Sequence, residues 1–280
     1  MPDRKPALSY AASLLRCDDR ERFLTVLFAP ADCREDLFAL YALNVELSRI
    51  REQAREPMAG LIRLQWWRDA LLAGQGGAGH PLVAPLREAI RRYHLDPDLL
   101  DGLLIARERD FDPDPPADPD DAEKLAAAGP VGLGLLALAI LGANKKSGEA
   151  ERNAVCAVSS AWGVLGHLRS IAYHAALGRV TLPASLLPKD GAVAILAGRA
   201  TGESLSKATR TMAERAERHL IHARSVNVMR EALPALLTAV QAKTYAAALR
   251  RSNWNPFEPR IARNRSRPLA LAWTVWRGHL

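Results

Sequence analysis

The stretch from Asp36 to Leu72, DLFALYALNVELSRIREQAREPMAGLIRLQWWRDALL, constrains the fold of this chain more than any other. Leu40, Leu43, Leu47 and Ile50 recur at steps of 3, 4 and 3, the one-sided apolar ridge of an amphipathic helix. A second line at helical spacing, Tyr41, Asn44, Ser48 and Glu52, begins apolar and turns polar. A helix carrying both lines has one edge on a core and the other on a cavity. The stretch closes on IRLQWWRDAL, a further helical piece. Its adjacent Trp66 and Trp67 point to different sides, so only one can face solvent.

At 280 residues and 49% hydrophobic content, the chain can bury a substantial core. Ala, Leu and Arg abound while aromatic and β-branched residues are sparse, which predicts an all-α protein. There is no Gly/Ser linker and no internal repeat, so one domain is expected over 1–280. Cys17, Cys33 and Cys156 show no CxxC spacing and read as reduced thiols of a cytosolic protein. The first residues lack an apolar signal core, and their acids argue against a transit peptide; a cytoplasmic protein is expected.

The net charge of +7 is unevenly placed. Eight of the 38 Lys/Arg but only one of the 31 Asp/Glu, Glu258, fall in 243–280, so the rest of the chain is balanced. Such a basic segment suits an anionic membrane surface, a partner protein or nucleic acid; a solvated tail is the plainer reading. Peripheral contact with the inner membrane is expected from it, and no nucleic-acid partner.

Residues 8–28 read as one or two short helices with Leu14, Leu15, Phe23, Val26 and Leu27 inward, ended by Pro30. Asp32 and Glu35 then have capping-box spacing. Gly74 to Gly79 is a linker, since it lacks the GK[ST] ending of a phosphate loop. Helices are expected over 81–94, 97–110 and 125–141, the last interrupted by Gly129-Pro130. Between them, 110–123 holds seven acids and four prolines and reads as a solvated loop. Metal binding by Asp112, Asp114 and Asp118 has no recognised spacing. Long helices are predicted over 203–223 and 226–251, Pro234 kinking the second or marking a new first turn. A last helix, Pro268 to Trp276, carries Trp273 and Trp276, a core staple or a membrane-interface pair.

YALNVELSRIRE followed by IRLQWWRDAL resembles the first conserved region of the squalene/phytoene synthase family. The resemblance implies an isoprenoid-synthase-type helical bundle around a central cavity. In active members this region carries aspartates that hold magnesium against a prenyl diphosphate. Here those positions fall on Ser48, Arg49 and Glu52, of which only Glu52 is acidic. Asp110 stands at a further acidic position of the family. Residues 161–183, AWGVLGHLRSIAYHAALGRVTLP, resemble its second signature, and the second aspartate pair falls on Ser170 and His174. Tyr173 stands where active members tend to have Glu. Gly163, Gly166, Ser170 and His174 share one helical face that could line a cavity. His174, like His167, reads more simply as a structural or partner-contacting histidine than as a ligand.

LRSIAYH, the IRLQWW run and RRSNWNPFEPR…RPLALAW are similar to a non-catalytic branch of the family, the assembly factors of respiratory complex I. The resemblance thus implies an assembly or interaction factor for a membrane complex, without metal or other cofactor. The alternatives are a head-to-head prenyl-diphosphate transferase, which would need Mg2+, and a carrier of an isoprenoid-like ligand without turnover. Cavity and ligand candidates are Tyr41, Asn44, Glu46, Arg63, Gln65, Trp66, Trp67, Asp110, Gly163, Gly166, Arg169 and Arg179. Glu52 is expected to be solvated or paired with Arg49 or Arg55.

Overall fold

The computed structural model describes residues 8–142, 148–198, 202–263 and 266–280. Residues outside these ranges, including Arg265 of the basic segment and the first residues of the chain, lie outside the described set. Among the described residues the chain forms α-helices and no strand. In order these are α1 (Tyr10–Asp18), α2 (Arg20–Val26), α3 (Arg34–Gln53), α4 (Pro57–Leu71), α5 (Val83–Tyr93), α6 (Pro97–Glu108) and α7 (Pro119–Ile140). Then follow α8 (Glu149–Arg169), α9 (Ile171–Ala176), α10 (Gly191–Leu196), α11 (Glu203–Ser225), α12 (Leu233–Leu236), α13 (Thr238–Arg251) and α14 (Pro268–Arg277).

The starts follow local chemistry. Ser9 caps α1 by accepting from the Ala12 N–H, and Asp19 caps α2 by accepting from that of Arg22. Asp118 accepts from both Asp120 and Asp121 N–H groups, with Pro119 in the first turn, where a missing N–H costs nothing. The expected loop over 110–123 is therefore shorter. Asp120, Asp121 and Glu123 belong to the first turns of α7, where acids suit the positive helix end.

Three further expectations are corrected. The Asp32–Glu35 capping box does not form, because a 3-10 turn (Ala31–Cys33) takes up Asp32 and α3 starts at Arg34 without a side-chain cap. Arg34 instead donates to the Ala29 carbonyl at 2.8 Å. Leu27, the C-cap of α2 just beyond Val26, is exposed rather than inward. No helix begins at 226: a 3-10 turn (Arg230–Ala232) precedes α12, while Pro234 sits in the first turn of α12, the second of the two roles expected of it.

The core is built on α7 and α8, the most closely packed pair, flanked by α6, α11 and α13. α7 is long and apolar enough to cross a membrane, but it lies in the centre of the protein, with Leu133, Leu136 and Leu138 buried. The Leu40, Leu43, Leu47 and Ile50 ridge of α3 is buried throughout, as its spacing requires.

Candidate functional site

The polar line of α3 faces a cavity of about 550 Å³. Asn44, Ser48, Arg51 and Glu52 form one wall, and Ala126, Gly129 and Pro130 of α7 form another. Gly163, Gly166, His167 and Arg169 of α8 face them, continued by Ser170, Tyr173 and His174. The expected single helical face from Gly163 to His174 is broken, because α8 ends at Arg169 and α9 starts anew after Ser170. The four residues nonetheless line the same cavity. Tyr41 is buried deeper, with the Arg22 guanidinium 5.6 Å over its ring.

The two serines of the cavity lining, Ser48 and Ser170, are turned back onto their own backbone. Ser48 Oγ donates to the Val45 carbonyl at 2.8 Å, and Ser170 Oγ to that of Gly166 at 2.6 Å. Arg49 pairs with Asp18 on α1 rather than with Glu52. Glu52 is exposed, one of the two expected outcomes, and accepts from the Tyr173 hydroxyl rather than pairing with Arg49 or Arg55.

Asp110 is held between two guanidiniums, Arg107 at 3.1 Å and Arg179 at 2.8 Å. Burial alone would raise its pKa, but Arg107 and Arg179 outweigh that and hold the carboxyl below the usual range. Arg179 Nη1 also lies 3.4 Å from His174 Nδ1, and the His167 and His174 rings lie 5.4 Å apart. Burial pushes His167 down to about 3 and His174 down to about 4, so both are neutral near pH 7. Burial, reinforced by the Glu52 carboxylate, pushes the Tyr173 phenol up.

The cavity therefore has a surplus of guanidiniums. Arg22, Arg51, Arg107, Arg109, Arg169 and Arg179 line it against Asp18, Glu52 and Asp110. Arg51 reaches over Phe111 and donates to the Leu177 carbonyl at 3.0 Å, while its Nε is buried without a partner. Magnesium needs several hard oxygen ligands free to converge. Asp18 and Asp110 are each committed to arginine, and Glu52 to Tyr173. The donor set does not fit a magnesium site. Among the described residues no three His, Cys, Asp or Glu side chains gather in a way that could hold a metal ion.

Several candidates lie elsewhere. Glu46, Arg63, Trp66 and Trp67 line a separate groove of about 360 Å³ together with His80. Glu46 accepts from Tyr10 at 3.0 Å, and Arg63 donates to Gln53 at 2.7 Å. Gln65 lies outside both spaces and bonds Asp69 and Arg68. Trp67 is 5% exposed and Trp66 39%, the split that adjacent helical positions demand.

One cluster had no local signature. Glu21, 2% exposed, accepts from Arg169 at 2.9 Å and from the Tyr245 hydroxyl at 2.7 Å. Arg169 also stacks over Tyr245 at 4.6 Å and Trp162 at 5.4 Å. Its charge closes the floor of the cavity while being neutralised from beneath.

Comparison with known proteins agrees with this geometry. The squalene/phytoene synthase family matches residues 15–274. NADH dehydrogenase (ubiquinone) complex I, assembly factor 6, of Rattus norvegicus is 29% identical over 274 residues, covering 96% of this chain and 81% of that protein. The Homo sapiens protein is 28% identical with the same coverage. Presqualene diphosphate synthase of Rhodopseudomonas palustris is 29% identical over 172 residues, 59% of this chain and 58% of that one. Among solved structures, a squalene synthase from Alicyclobacillus acidocaldarius superposes with a TM-score of 0.73 at 24% identity, covering 88% of this chain and 94% of that one. A dehydrosqualene synthase superposes with 0.78 at 15% identity, covering 96% and 94%. The expected all-α isoprenoid-synthase fold is the fold observed.

Proposed function

This chain belongs to the squalene/phytoene synthase family, and we propose that it acts there without turnover, as an assembly factor for a membrane-bound NADH dehydrogenase of the complex I type. One observation carries the reading. Likeness to assembly factor 6 runs over 96% of this chain and 81% of the relative, whereas that to presqualene diphosphate synthase stops at 59% and 58%.

The chemistry of the cavity supports it. Ionising a prenyl diphosphate requires neutralising the leaving group's charge, which metal ions on paired carboxylates supply. Here the carboxylates are spent on arginines and a phenol, and the two serines on their own helices. The fold keeps the frame and offers its surface to a partner. That partner is a subunit or intermediate of the respiratory complex, met at the cytoplasmic face of the inner membrane.

The test is deletion of the gene in its native host, followed by native-gel resolution of the NADH dehydrogenase. The expected result is loss of the mature complex, restored by the wild-type chain. Normal assembly in the deletion strain would overturn the reading.

A second reading is favoured by one feature. The cavity combines an apolar wall, Leu125, Ala126, Gly129 and Pro130, with a surplus of arginines. Guanidinium suits phosphate oxygens directly, so an isoprenoid-like anion could be held without being turned over. Calorimetry with farnesyl diphosphate in the presence of a chelator tests it, and absence of heat would remove it.

A further inference from the structure

PLALAWTVWR, the sequence of α14, has Pro268 in its first turn and apolar residues in two phases. Leu271 points inward and is fully buried. Leu269, Ala272, Trp273 and Trp276 follow 3–4 spacing on the opposite side and are exposed, Leu269 by 86%, Trp273 by 57% and Trp276 by 70%. A helix on the surface of a soluble protein has the reverse arrangement, with its apolar stripe turned to the core. The two indole rings stand 4.8 Å apart.

The helix is held in place from beneath. Arg230 donates to the Val275 carbonyl at 3.0 Å and to that of Trp276 at 3.4 Å, satisfying the last turn with a cation. The stripe is thus presented on an anchored element. Arg267 and Arg277 stand exposed at its two ends, and residues 259–280 contain five arginines and no acid.

We infer that α14 docks on an anionic lipid bilayer. It lies in the plane of the interface, with Leu269, Trp273 and Trp276 at the boundary of headgroups and acyl chains. Arg267 and Arg277 meet the lipid phosphates. Indoles favour that boundary because one part of the ring is apolar and the N–H stays wet. A short apolar stripe alone binds weakly, and juxtaposed basic charge supplies the second attraction that stable attachment needs. The exposed Arg267 and Arg277 at the ends of the stripe complement a negatively charged surface. No residue of α14 lines the cavity, so the inference is independent of what the cavity holds.

The test is co-sedimentation of the full chain with vesicles of phosphatidylcholine plus phosphatidylglycerol, and with phosphatidylcholine alone. Binding is expected on the anionic vesicles, weakened by salt. The Trp273→Ser/Trp276→Ser double variant should bind about tenfold more weakly. Both residues are exposed, so the fold should persist, as circular dichroism would verify. Ile221→Ser, at an exposed apolar position on α11, should bind like wild type. No sedimentation, equal sedimentation on neutral vesicles, or undiminished binding by the double variant would overturn the inference. Loss of complex assembly in a double variant whose wild type ignores vesicles would make the stripe a protein contact, which overturns it too. Vesicle binding with normal assembly in the deletion strain would leave this inference standing and remove only the assembly reading.

Discussion

The Tyr173 hydroxyl donates to the Glu52 carboxylate, joining α9 to α3 across 121 residues of chain at the mouth of the cavity. Glu52 is thereby a structural acceptor. Glutamine keeps an acceptor oxygen at the same place. Glu52→Gln should change stability by less than about 1 kcal/mol and leave complex assembly intact, because the contact is at an exposed position. Urea denaturation and complementation of the deletion strain check this. A stably folded variant that fails to complement would give Glu52 a chemical role and contradict the prediction.

Trp66 and Trp67 separate cleanly. Trp67 packs edge-on against His80, ring centroids 4.8 Å apart, and is almost fully buried. Trp67→Ala should cost about 3–5 kcal/mol through lost burial and the cavity left behind. Trp66→Ala should cost less than about 1 kcal/mol. Equal costs in chemical denaturation would mean that the two rings share one environment.

The histidines predict acid lability. In the unfolded chain His167 and His174 take up protons near 6.5; in the folded protein they do so only at about 3 and about 4. The unfolded state binds more protons between these values, so stability falls as the pH drops from about 6.5 towards 4. Each such proton contributes a slope of about 1.4 kcal/mol per pH unit. His167→Gln and His174→Gln should each flatten the curve by about one proton. Asp110, whose carboxyl is held below its unfolded value, adds to the fall only at the acid end, from about pH 5 downward. Parallel curves for wild type and both variants would remove the histidines as the cause.

No magnesium-dependent consumption of farnesyl or geranylgeranyl diphosphate is expected of the purified protein. Product analysis after incubation with substrate and magnesium decides the matter. Formation of a squalene- or phytoene-like product, abolished by Glu52→Ala, would promote the transferase alternative.

The elements of this fold were legible where the period was strong. The two lines on α3 specified both a buried ridge and a cavity edge, and both are present. What the sequence hid is pairing over distance. Asp110 meets Arg179 across 69 residues, and Glu21 meets Arg169 and Tyr245 across 148 and 224. Nothing local marks a glutamate in the run DDRERF as buried, because its partners come from distant parts of the chain. The groove holding Glu46, Arg63, Trp66 and Trp67 was merged with the cavity for a related reason. Spacing along a helix gives the angle of a side chain, not which neighbouring helix it meets.

Pro130 has no N–H to offer the carbonyl of Ala126, one turn back along α7. That carbonyl faces α8, and a methyl group added at Gly163 would lie 2.0 Å from its oxygen. Backbone meets backbone there, and the width of the cavity is set by a missing hydrogen on one helix and a missing carbon on the other. Positions 48, 49, 170 and 174, which line the cavity or flank it, take no part in that contact. The spacing of the walls and the polar lining of the cavity are thus separately editable in this protein. Side chains could be exchanged at those four positions with the walls unmoved, whereas a single alanine at 163 would wedge them apart while every polar group stayed in the chain.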